Sequence, residues 1–312
     1  MNLQQLEYII AVDTHRHFVT AAEKSFVTQA TLSMMIKKLE EELDVKIFDR
    51  SKQPVVPTET GKKIIAQAKE VIAGAKRLKE IVKDENDITS GELRIGIIPT
   101  LAPSLLPFFL NVFLRKYPQV KLKISELTTE SIIQKLEEMD LDVGLLATPL
   151  GKTNLDEKPL FYEQFVVYAS GTEKVSKKKY VLPNDIDVNR LWLLEEGHCL
   201  RNQVVNLCEL KEREKELHRL DFEAGSIETL KKIVEANQGI TILPELSLRD
   251  MTLKQKKNIR YFKAPAPVRE ISVVTYRHFM KRKLIDALTT EILNSIPQEM
   301  ISPKRTQVIE IA

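Results

Sequence analysis

The chain of 312 residues has two cysteines, Cys199 and Cys208, and both lie in the segment "EEGHCLRNQVVNLC" at residues 195–208. A thiol can bind a metal, attack an electrophile or form a disulfide, and its pKa and neighbours decide which of these it does. Metal sites usually show cysteines and histidines at short, regular spacings. This chain has no Cys-x-x-Cys pair, and four of its histidines are scattered along it: His15, His17, His218 and His278. We therefore predict no metal site and no cofactor.

The neighbours of Cys199 favour an ionised thiol. The run "LWLLEEGHC" places Cys199 just after a strand, and apolar residues follow it at helical spacing. Cys199 would then lie at the N-terminus of a helix, where free backbone N–H groups and the helix dipole favour an anion. His198 and Arg201 are close in sequence and add positive charge. We expect these groups to lower the pKa of the Cys199 thiol, and the thiolate is the form that reacts with peroxide.

The spacing of the two cysteines limits when they can bond. If residues 199–208 are helical, the two Cα atoms are about 13 Å apart, whereas a disulfide needs roughly 4.4–6.8 Å. A bond could form only if the segment unfolded and repacked. Closing so short a loop stabilises by up to about 3 kcal/mol, which is similar to the cost of local repacking, so the segment would have two states. The alternative is that both cysteines simply fill a core, as buried cysteines commonly do.

The composition is that of a globular protein of two or three domains. Of its residues, 43% are apolar and 29% charged, which is enough to bury a substantial core. The N-terminus lacks the basic flank of a signal peptide, and no apolar run approaches ~18 residues. We therefore predict a cytoplasmic location, which disfavours a secreted solute-binding protein. The net charge of +3 is weak support for a polyanionic partner, so any nucleic-acid binding must come from the arrangement of the charges.

The first sixty residues predict three short helices with the spacing of a helix-turn-helix. A small-residue helix through "TAAEKSF" is followed by "VTQATLSMMIKKLEEEL", in which Leu32, Ile36 and Leu39 form one buried stripe. Thr28 could cap this third helix. Its opposite face mixes apolar groups, hydroxyls and lysines, which suits DNA bases and phosphates, although a solvated face of a small helical bundle has the same spacing. The candidate DNA-binding residues are Thr28, Gln29, Thr31, Ser33, Met34, Lys37 and Arg50.

A longer helix follows from Thr58. Its apolar residues alternate spacings of four and three, which is a heptad seam and predicts pairing with a second copy of the chain. The members of the seam are Ile64, Ala68, Val71, Ala75, Leu78 and Val82. Packing of this helix on its own domain is the alternative. The polar run "KDENDITSG" then indicates a linker.

The remainder of the chain predicts an α/β domain. Segments such as "ELRIGIIPT", "VKLKISEL" and "LDVGLLA" are typical of strands, and helical stretches separate them. This alternation favours a largely parallel sheet with helices on its faces. Ligands of such sheets bind beyond the carboxyl ends of the strands, and Thr100 and Thr129 lie at two of these ends. Similar segments beyond residue 160 indicate a second lobe.

The head resembles the LysR-type transcriptional regulators, through "FVTAAEKSFVTQATLSMMIKKLEEELDVKIFDR" and "PTETGKKI". Thr28 and Ala30 depart from the Ser and Pro that are common in the family, and neither change threatens the fold. The resemblance implies an all-α winged helix-turn-helix DNA-binding domain in residues 1–58 and a linker and dimerisation helix in residues 59–88. It also implies a two-lobed regulatory domain of the type 2 periplasmic-binding-protein fold in residues 89–312. Lobe I would comprise about 91–162 and 268–300, and lobe II about 163–267.

The resemblance is strongest to the peroxide-sensing members of that family, through "EEGHCLRNQVVNLC", "IGIIPT" and "FEAGSIETLKKIVEANQGITILPELSL". It implies that hydrogen peroxide oxidises Cys199 to a sulfenic acid, which condenses with Cys208, the resolving cysteine. The implied peroxide pocket consists of Thr100, Thr129, His198, Arg201 and Arg277. A long charged stretch, "ELKEREKELHRLDF", follows Cys208 here and could change how freely its segment moves.

These features together predict a transcription activator of oxidative-stress genes that is not an enzyme. The expected partners are paired half-sites of double-stranded DNA, further copies of the chain as dimer and tetramer, RNA polymerase and a cellular disulfide reductant. Two rival functions remain. One is a LysR-type regulator that binds a small metabolite between its lobes, and the other is a thiol peroxidase that turns over peroxide at Cys199.

Overall fold

A computed structural model describes residues 1–84, 90–208, 222–277, 281–301 and 306–309. They form two compact units, Met1–Asp87 and Ile88–Ala312. Most of the predicted linker and nearly all of the charged stretch after Cys208 lie outside the described residues, as do His218 and His278. No described helix is long and apolar enough to cross a membrane.

The first unit is a helical head with a small hairpin. Its elements are α1 (Leu3–His15), α2 (Phe18–Lys24), α3 (Gln29–Glu42), β1 (Phe48–Asp49), β2 (Val56–Pro57) and α4 (Glu59–Asp84). Strands β1 and β2 pair antiparallel and form the wing. The predicted stripe of α3 is fully buried at Leu32, Ile36 and Leu39. Thr28 caps α3 by accepting a hydrogen bond from the Thr31 N–H at 3.2 Å, which fixes where the helix begins.

The first half of α4 packs on its own unit. Ile65, Ala68 and Ile72 are buried in the same core as α1 and α3. Ala68 is therefore not available to a seam between two chains, and the alternative of packing on its own domain applies to this half of the helix. Val71, on the other side, is 41% exposed.

The second unit begins with alternating strands and helices. Its elements up to the second long strand are β3 (Gly91–Ile97), α5 (Ala102–Lys116), β4 (Val120–Glu126), α6 (Thr129–Glu137), β5 (Val143–Thr148), β6 (Leu155–Ala169), β7 (Tyr180–Val181), α7 (Cys199–Leu207), α8 (Ile227–Asn237), β8 (Ile240–Pro244), α9 (Leu253–Lys256), β9 (Ile259–Phe262) and β10 (Ala266–Tyr276). It ends with α10 (Arg282–Ser295), α11 (Gln298–Ile301) and β11 (Thr306–Val308). Short 3-10 helices lie at Lys174–Lys177, Pro183–Asp185, Val188–Arg190 and Glu245–Leu248.

Two long strands join the lobes of this unit. In lobe I, β3 pairs in parallel with β4 and β5. The first part of β6 pairs antiparallel with β10, and the second part pairs with β8 and β9 of lobe II. Strand β10 also pairs with β5, so both crossing strands belong to the lobe I sheet. A winged helix-turn-helix head followed by this two-lobed α/β arrangement confirms the predicted fold class.

Helix α7 spans two hydrophobic cores. Cys199, at its first residue, packs in the core formed around β3, α5 and β5 of lobe I. Val204, Leu207 and Cys208 pack in the core of lobe II. The two cysteines thus belong to different cores although they are nine residues apart, because a helix separates them.

Candidate functional site

The two cysteines lie at opposite ends of α7. Cys199 is its first residue, and Cys208 caps its end by donating its backbone N–H to the Val204 carbonyl at 3.0 Å. A helix of this length separates the two Cα atoms by about 13 Å, and both residues are thiols. The structure therefore has the helical arrangement that the spacing predicted, in which the two sulfurs cannot bond.

The Cys199 thiol is held in a water-excluded site. The residue is 4% exposed, and burial raises the pKa of its thiol because a thiolate loses its hydration there. The nearby Arg269 guanidinium acts against this, and so do Thr129 and hydrogen bonds from the backbone of Leu200 and Ala147. The predicted net lowering of the pKa is wrong, because sequence position alone does not reveal how deeply the thiol is buried.

Arg269 is the cation of the site. Its side chain is fully buried in β10. Its Nη1 donates to Thr100 Oγ1 at 3.1 Å, and its Nη2 donates to the Thr100 carbonyl at 3.2 Å. Thr100 follows β3 and is itself buried. One threonine thus anchors one end of the guanidinium beside the thiol.

Glu163 anchors the other end of that guanidinium. It is the cross-strand neighbour of Arg269 in the β6–β10 ladder, and it is fully buried. Its Oε2 accepts from Arg269 Nε at 2.8 Å, while its Oε1 accepts from the Leu246 N–H at 2.7 Å. Buried ion pairs of this kind are costly to break, because the remaining charge is left without a partner.

Thr129 supplies an unused hydroxyl. It begins α6, directly after the cap residue Thr128, and its side chain is buried. Thr129 Oγ1 lies close enough to Cys199 to favour the thiolate, but it does not reach hydrogen-bonding geometry with any described group. A buried hydroxyl without a partner is suited to a small polar molecule that approaches the sulfur.

His198 and Arg201 differ in their relation to the thiol. His198 is buried directly before Cys199, and its Nε2 lies 3.7 Å from Glu195 Oε1. Arg201 Nη1 donates to the Leu194 carbonyl and lies 2.7 Å from Glu223 Oε1. Its charge is therefore engaged by Glu223, and it contributes mainly to holding α7 in lobe II.

Arg277 lies away from the thiol, and its assignment to the pocket is wrong. It follows the last residue of β10, is 58% exposed and lies 3.8 Å from Asp156. Arg277 lies eight residue-to-residue steps beyond Arg269 along an extended strand, which corresponds to about 26 Å. The arginine beside the sulfur is Arg269, which the motif "VTYR" did not indicate.

The sequence analysis did not identify the buried pair of Glu163 and Arg269, although the sequence contains a signal for it. Glu163 alternates with Phe161 and Phe165, so it occupies a core-facing position of a strand. Arg269 occupies the same phase as Ile271 in β10. Two opposite charges at core-facing positions of apolar strands indicate a buried pair, although only the sheet register shows that they meet.

The predicted DNA-contacting face of α3 is open. Thr28, Gln29, Thr31, Met34 and Lys37 are exposed, and Met34 is 62% exposed. Lys37 lies 3.6 Å from Glu41 one turn further along, which is a weak exposed pair. The face therefore presents hydroxyl, amide, thioether and ammonium groups together.

Arg50 is engaged within the head. Its Nη2 donates to Glu40 Oε2 at 3.1 Å and its Nη1 to Ser33 Oγ at 3.2 Å, while its guanidinium stacks 5.0 Å from the centre of the Phe18 ring. Glu40 is buried and also accepts the Ile47 and Phe48 N–H groups. Arg50 thus ties the wing to α3, and its predicted contact with a DNA phosphate stays a prediction.

Two protein families match the chain. Residues 3–62 match the bacterial regulatory helix-turn-helix protein, lysR family, and residues 86–295 match the LysR substrate binding domain. Together these matches cover the helical head and most of the two-lobed unit.

Known proteins with the same two parts, a LysR-type head and a LysR substrate binding domain, match this chain over most of their length. The chain is 34% identical to a hydrogen peroxide-inducible genes activator of Haemophilus influenzae, over 88% of this chain and 90% of that one. A full-length OxyR mutant from Pseudomonas aeruginosa has a similar structure, with a TM-score of 0.75 at 31% identity over 95% and 99% of the two chains. A hydrogen peroxide-bound OxyR mutant from Corynebacterium glutamicum is also similar, with a TM-score of 0.60 at 26% identity over 94% and 92%. This chain belongs to the LysR family of bacterial helix-turn-helix regulators.

Proposed function

We propose that this chain is a DNA-binding transcriptional regulator that senses hydrogen peroxide through Cys199 and Cys208. The observation that carries the proposal is the environment of Cys199, a buried thiol beside a fixed arginine and an unpartnered threonine hydroxyl. The names of its relatives support the same signal, since they include a hydrogen peroxide-inducible genes activator and a peroxide-bound OxyR.

The chemistry is a two-electron oxidation of the two thiols. The Cys199 thiolate attacks one oxygen of peroxide, the O–O bond breaks, and the leaving hydroxide takes a proton to become water. The sulfenic acid that remains is attacked by the Cys208 thiolate. An S–S bond forms, the S–O bond breaks, and a second water leaves. Arg269 favours the thiolate, and Thr100 and Thr129 hold the peroxide.

Disulfide formation requires α7 to unwind. The two sulfurs start in different hydrophobic cores, so Cys208 must leave the lobe II core before it reaches Cys199. Leu207 and Val204 would move with it. The loss of these contacts and the gain of the disulfide are similar in free energy, which makes the change reversible by a cellular disulfide reductant.

The regulator acts on DNA as an oligomer. The face of α3 enters the major groove. Lys37 contacts phosphate there, and the residues that contact bases are Gln29, Thr31, Ser33 and Met34. The predicted seam residues Leu78 and Val82 lie outside the described side chains. Their heptad spacing supports pairing of two chains along this half of α4, and dimers of dimers bind paired half-sites. The rearranged lobe II changes the spacing of these heads and the contact with RNA polymerase. Because its target is the chromosome, we place the protein in the cytoplasm.

The test is to replace each cysteine by serine and titrate peroxide. The reduced and treated full-length proteins are digested and mapped, and binding to a promoter fragment is measured in parallel. We expect a 199–208 disulfide within one chain in the wild type, none in Cys199→Ser, and a trapped sulfenic acid in Cys208→Ser. Only the wild type should change its DNA footprint.

Two outcomes would contradict the proposal. A footprint that changes in Cys199→Ser as it does in the wild type would favour a metabolite-responsive regulator. Sustained turnover of peroxide with a reductant would favour a thiol peroxidase, because a sensor oxidises about once in each reduction cycle.

A further inference from the structure

Glu163 is a fully buried carboxylate to which the peroxide reaction assigns no step. Both of its oxygens are used, one by Arg269 Nε at 2.8 Å and the other by the Leu246 N–H at 2.7 Å. The first contact is within the crossing strands, and the second reaches the 3-10 helix Glu245–Leu248. The carboxylate is therefore fixed in place from two directions.

Its position determines where the Arg269 guanidinium can point. Nε donates to Glu163, and the two terminal nitrogens donate to the hydroxyl and the carbonyl of Thr100. A planar guanidinium bonded on both sides cannot rotate without breaking at least one of these bonds. The place of this guanidinium, whose charge favours the Cys199 thiolate, is thus set by Glu163 and Thr100 together.

The charge of Glu163 also competes with the thiolate. A carboxylate 2.8 Å from a cation in a water-excluded interior offsets most of the field of that cation at a more distant atom. The Arg269 charge favours the Cys199 thiolate, and the cost of burying that thiolate outweighs this attraction. Without Glu163, the same arginine would favour the thiolate much more strongly.

We propose that Glu163 is a positioning residue of the thiol site, whose carboxylate fixes the Arg269 guanidinium and limits how far its charge favours the Cys199 thiolate. The inference rests on the proposed function for its biological meaning, since the fraction of thiolate sets how much peroxide the sensor needs. It concerns a property of the reduced protein, so it is measurable without peroxide.

The other charged and polar groups at the site act differently. Thr100 and Thr129 are neutral, and Arg201 is engaged by Glu223. Glu245 is half-buried near Glu163, and burial together with the Glu163 charge raises the pKa of its carboxyl. Among the described residues, Glu163 is the one anion that forms an ion pair with Arg269. It is therefore the residue to change, and Glu245 is the matched control.

The experiment titrates Cys199 in the full-length chain carrying Cys208→Ser, so that one thiol remains. The ultraviolet absorbance of the thiolate is followed as pH rises, with Cys199→Ser in the same background as the blank. We expect Glu163→Gln to move the midpoint down by about one pH unit, which gives about tenfold more thiolate on the acid side. Glu245→Gln should leave the midpoint unchanged. A Glu163→Gln protein that folds and keeps the wild-type midpoint would overturn the proposal.

A second comparison covers the case in which Glu163→Gln does not fold. The double variant Glu163→Gln/Arg269→Gln, in which two neutral amides face each other, is then compared with the parent. Its midpoint should stay close to that of the parent, because the carboxylate and the cation that it offsets are removed together. A midpoint higher by one pH unit or more would show that Glu163 does not offset the Arg269 charge at the thiol, and would overturn the proposal.

The titration of Cys199 tests the role of Glu163 independently of the experiment that tests peroxide sensing. The midpoint is read in reduced protein, whereas the sensing reaction is read from disulfide formation after peroxide. A shifted midpoint in a protein that peroxide does not oxidise would support the role of Glu163 and reject peroxide sensing.

Discussion

The arginine–glutamate pair of the head and the pair beside the Cys199 thiol differ in their access to water. In the head, Arg50 is 40% exposed while its partner Glu40 is buried. In the regulatory unit, Arg269 and Glu163 are both fully buried. Water screens the first pair, so it mainly holds geometry by joining the wing to α3. The second pair lies in a medium of low polarity, where its charges also control the ionisation of a neighbouring thiol.

We expect the largest loss of stability when the buried pair of Arg269 and Glu163 is broken. Arg269→Gln leaves Glu163 without its cation, and we expect a loss of about 3–5 kcal/mol in the free energy of unfolding. Urea unfolding of the full chain at neutral pH measures this loss. Adding Glu163→Gln removes the lone charge and should restore part of the stability. A loss of less than about 1 kcal/mol in Arg269→Gln would mean that water reaches the pair.

Replacing Glu40, the buried residue of the pair in the head, should lower the stability by a smaller amount. Glu40 Oε1 accepts the Ile47 N–H at 2.8 Å and the Phe48 N–H at 3.3 Å. In Gln, a neutral amide oxygen weakens both of these bonds, and an NH2 group replaces Oε2, the acceptor of Arg50. We expect Glu40→Gln to cost about 2 kcal/mol and to speed hydrogen exchange in peptides covering β1. Glu41→Gln, an exposed neighbour, is the control and should change neither value. Unchanged exchange in Glu40→Gln would show that the wing is held by other contacts.

At alkaline pH, the Cys199 thiol should make the stability of the protein depend on pH. The pKa of Cys199 is raised above its ordinary value of 9.0 by burial, so the folded chain holds this proton more tightly than the unfolded chain. The stabilisation is complete well below pH 9.0. It is lost as pH rises toward the folded pKa, by up to about 1.4 kcal/mol per pH unit. Urea unfolding from pH 8 to 10 should show a steeper fall in the wild type than in Cys199→Ser. Equal slopes would contradict the raised pKa.

The smallest effect should come from the exposed member of the head pair. Arg50→Ala should cost less than about 1 kcal/mol in stability. Because its guanidinium is bonded to Glu40 and Ser33, we expect the dependence of DNA affinity on salt to keep its slope. Lys37→Ala, the matched control, should reduce that slope by about 0.9. A similar reduction in Arg50→Ala would show that Arg50 contacts phosphate when DNA is bound.

Much of the local structure was predictable from the pattern of residues. The buried stripe of α3, its cap at Thr28 and the helix between the two cysteines follow from spacing and from capping chemistry, which act within one turn. The parallel strands of lobe I follow from the alternation of apolar runs with helices. The assignment of Arg277 failed because a motif near the end of a strand does not state which residue of that strand faces the sulfur.

The sequence by itself determined the elements, their order and the separation of Cys199 from Cys208, because these depend on residues close together along the chain. Tertiary structure alone decided that Glu163 and Arg269 lie opposite each other, that Thr100 bonds to Arg269, that Thr129 lies near Cys199, and that the thiol is excluded from water. These contacts join residues that lie up to 169 positions apart. They depend on strand register and on the crossing of β6 and β10. The chemistry of the thiol is set by desolvation and by opposing charges, and both exist only once the lobes have packed around it.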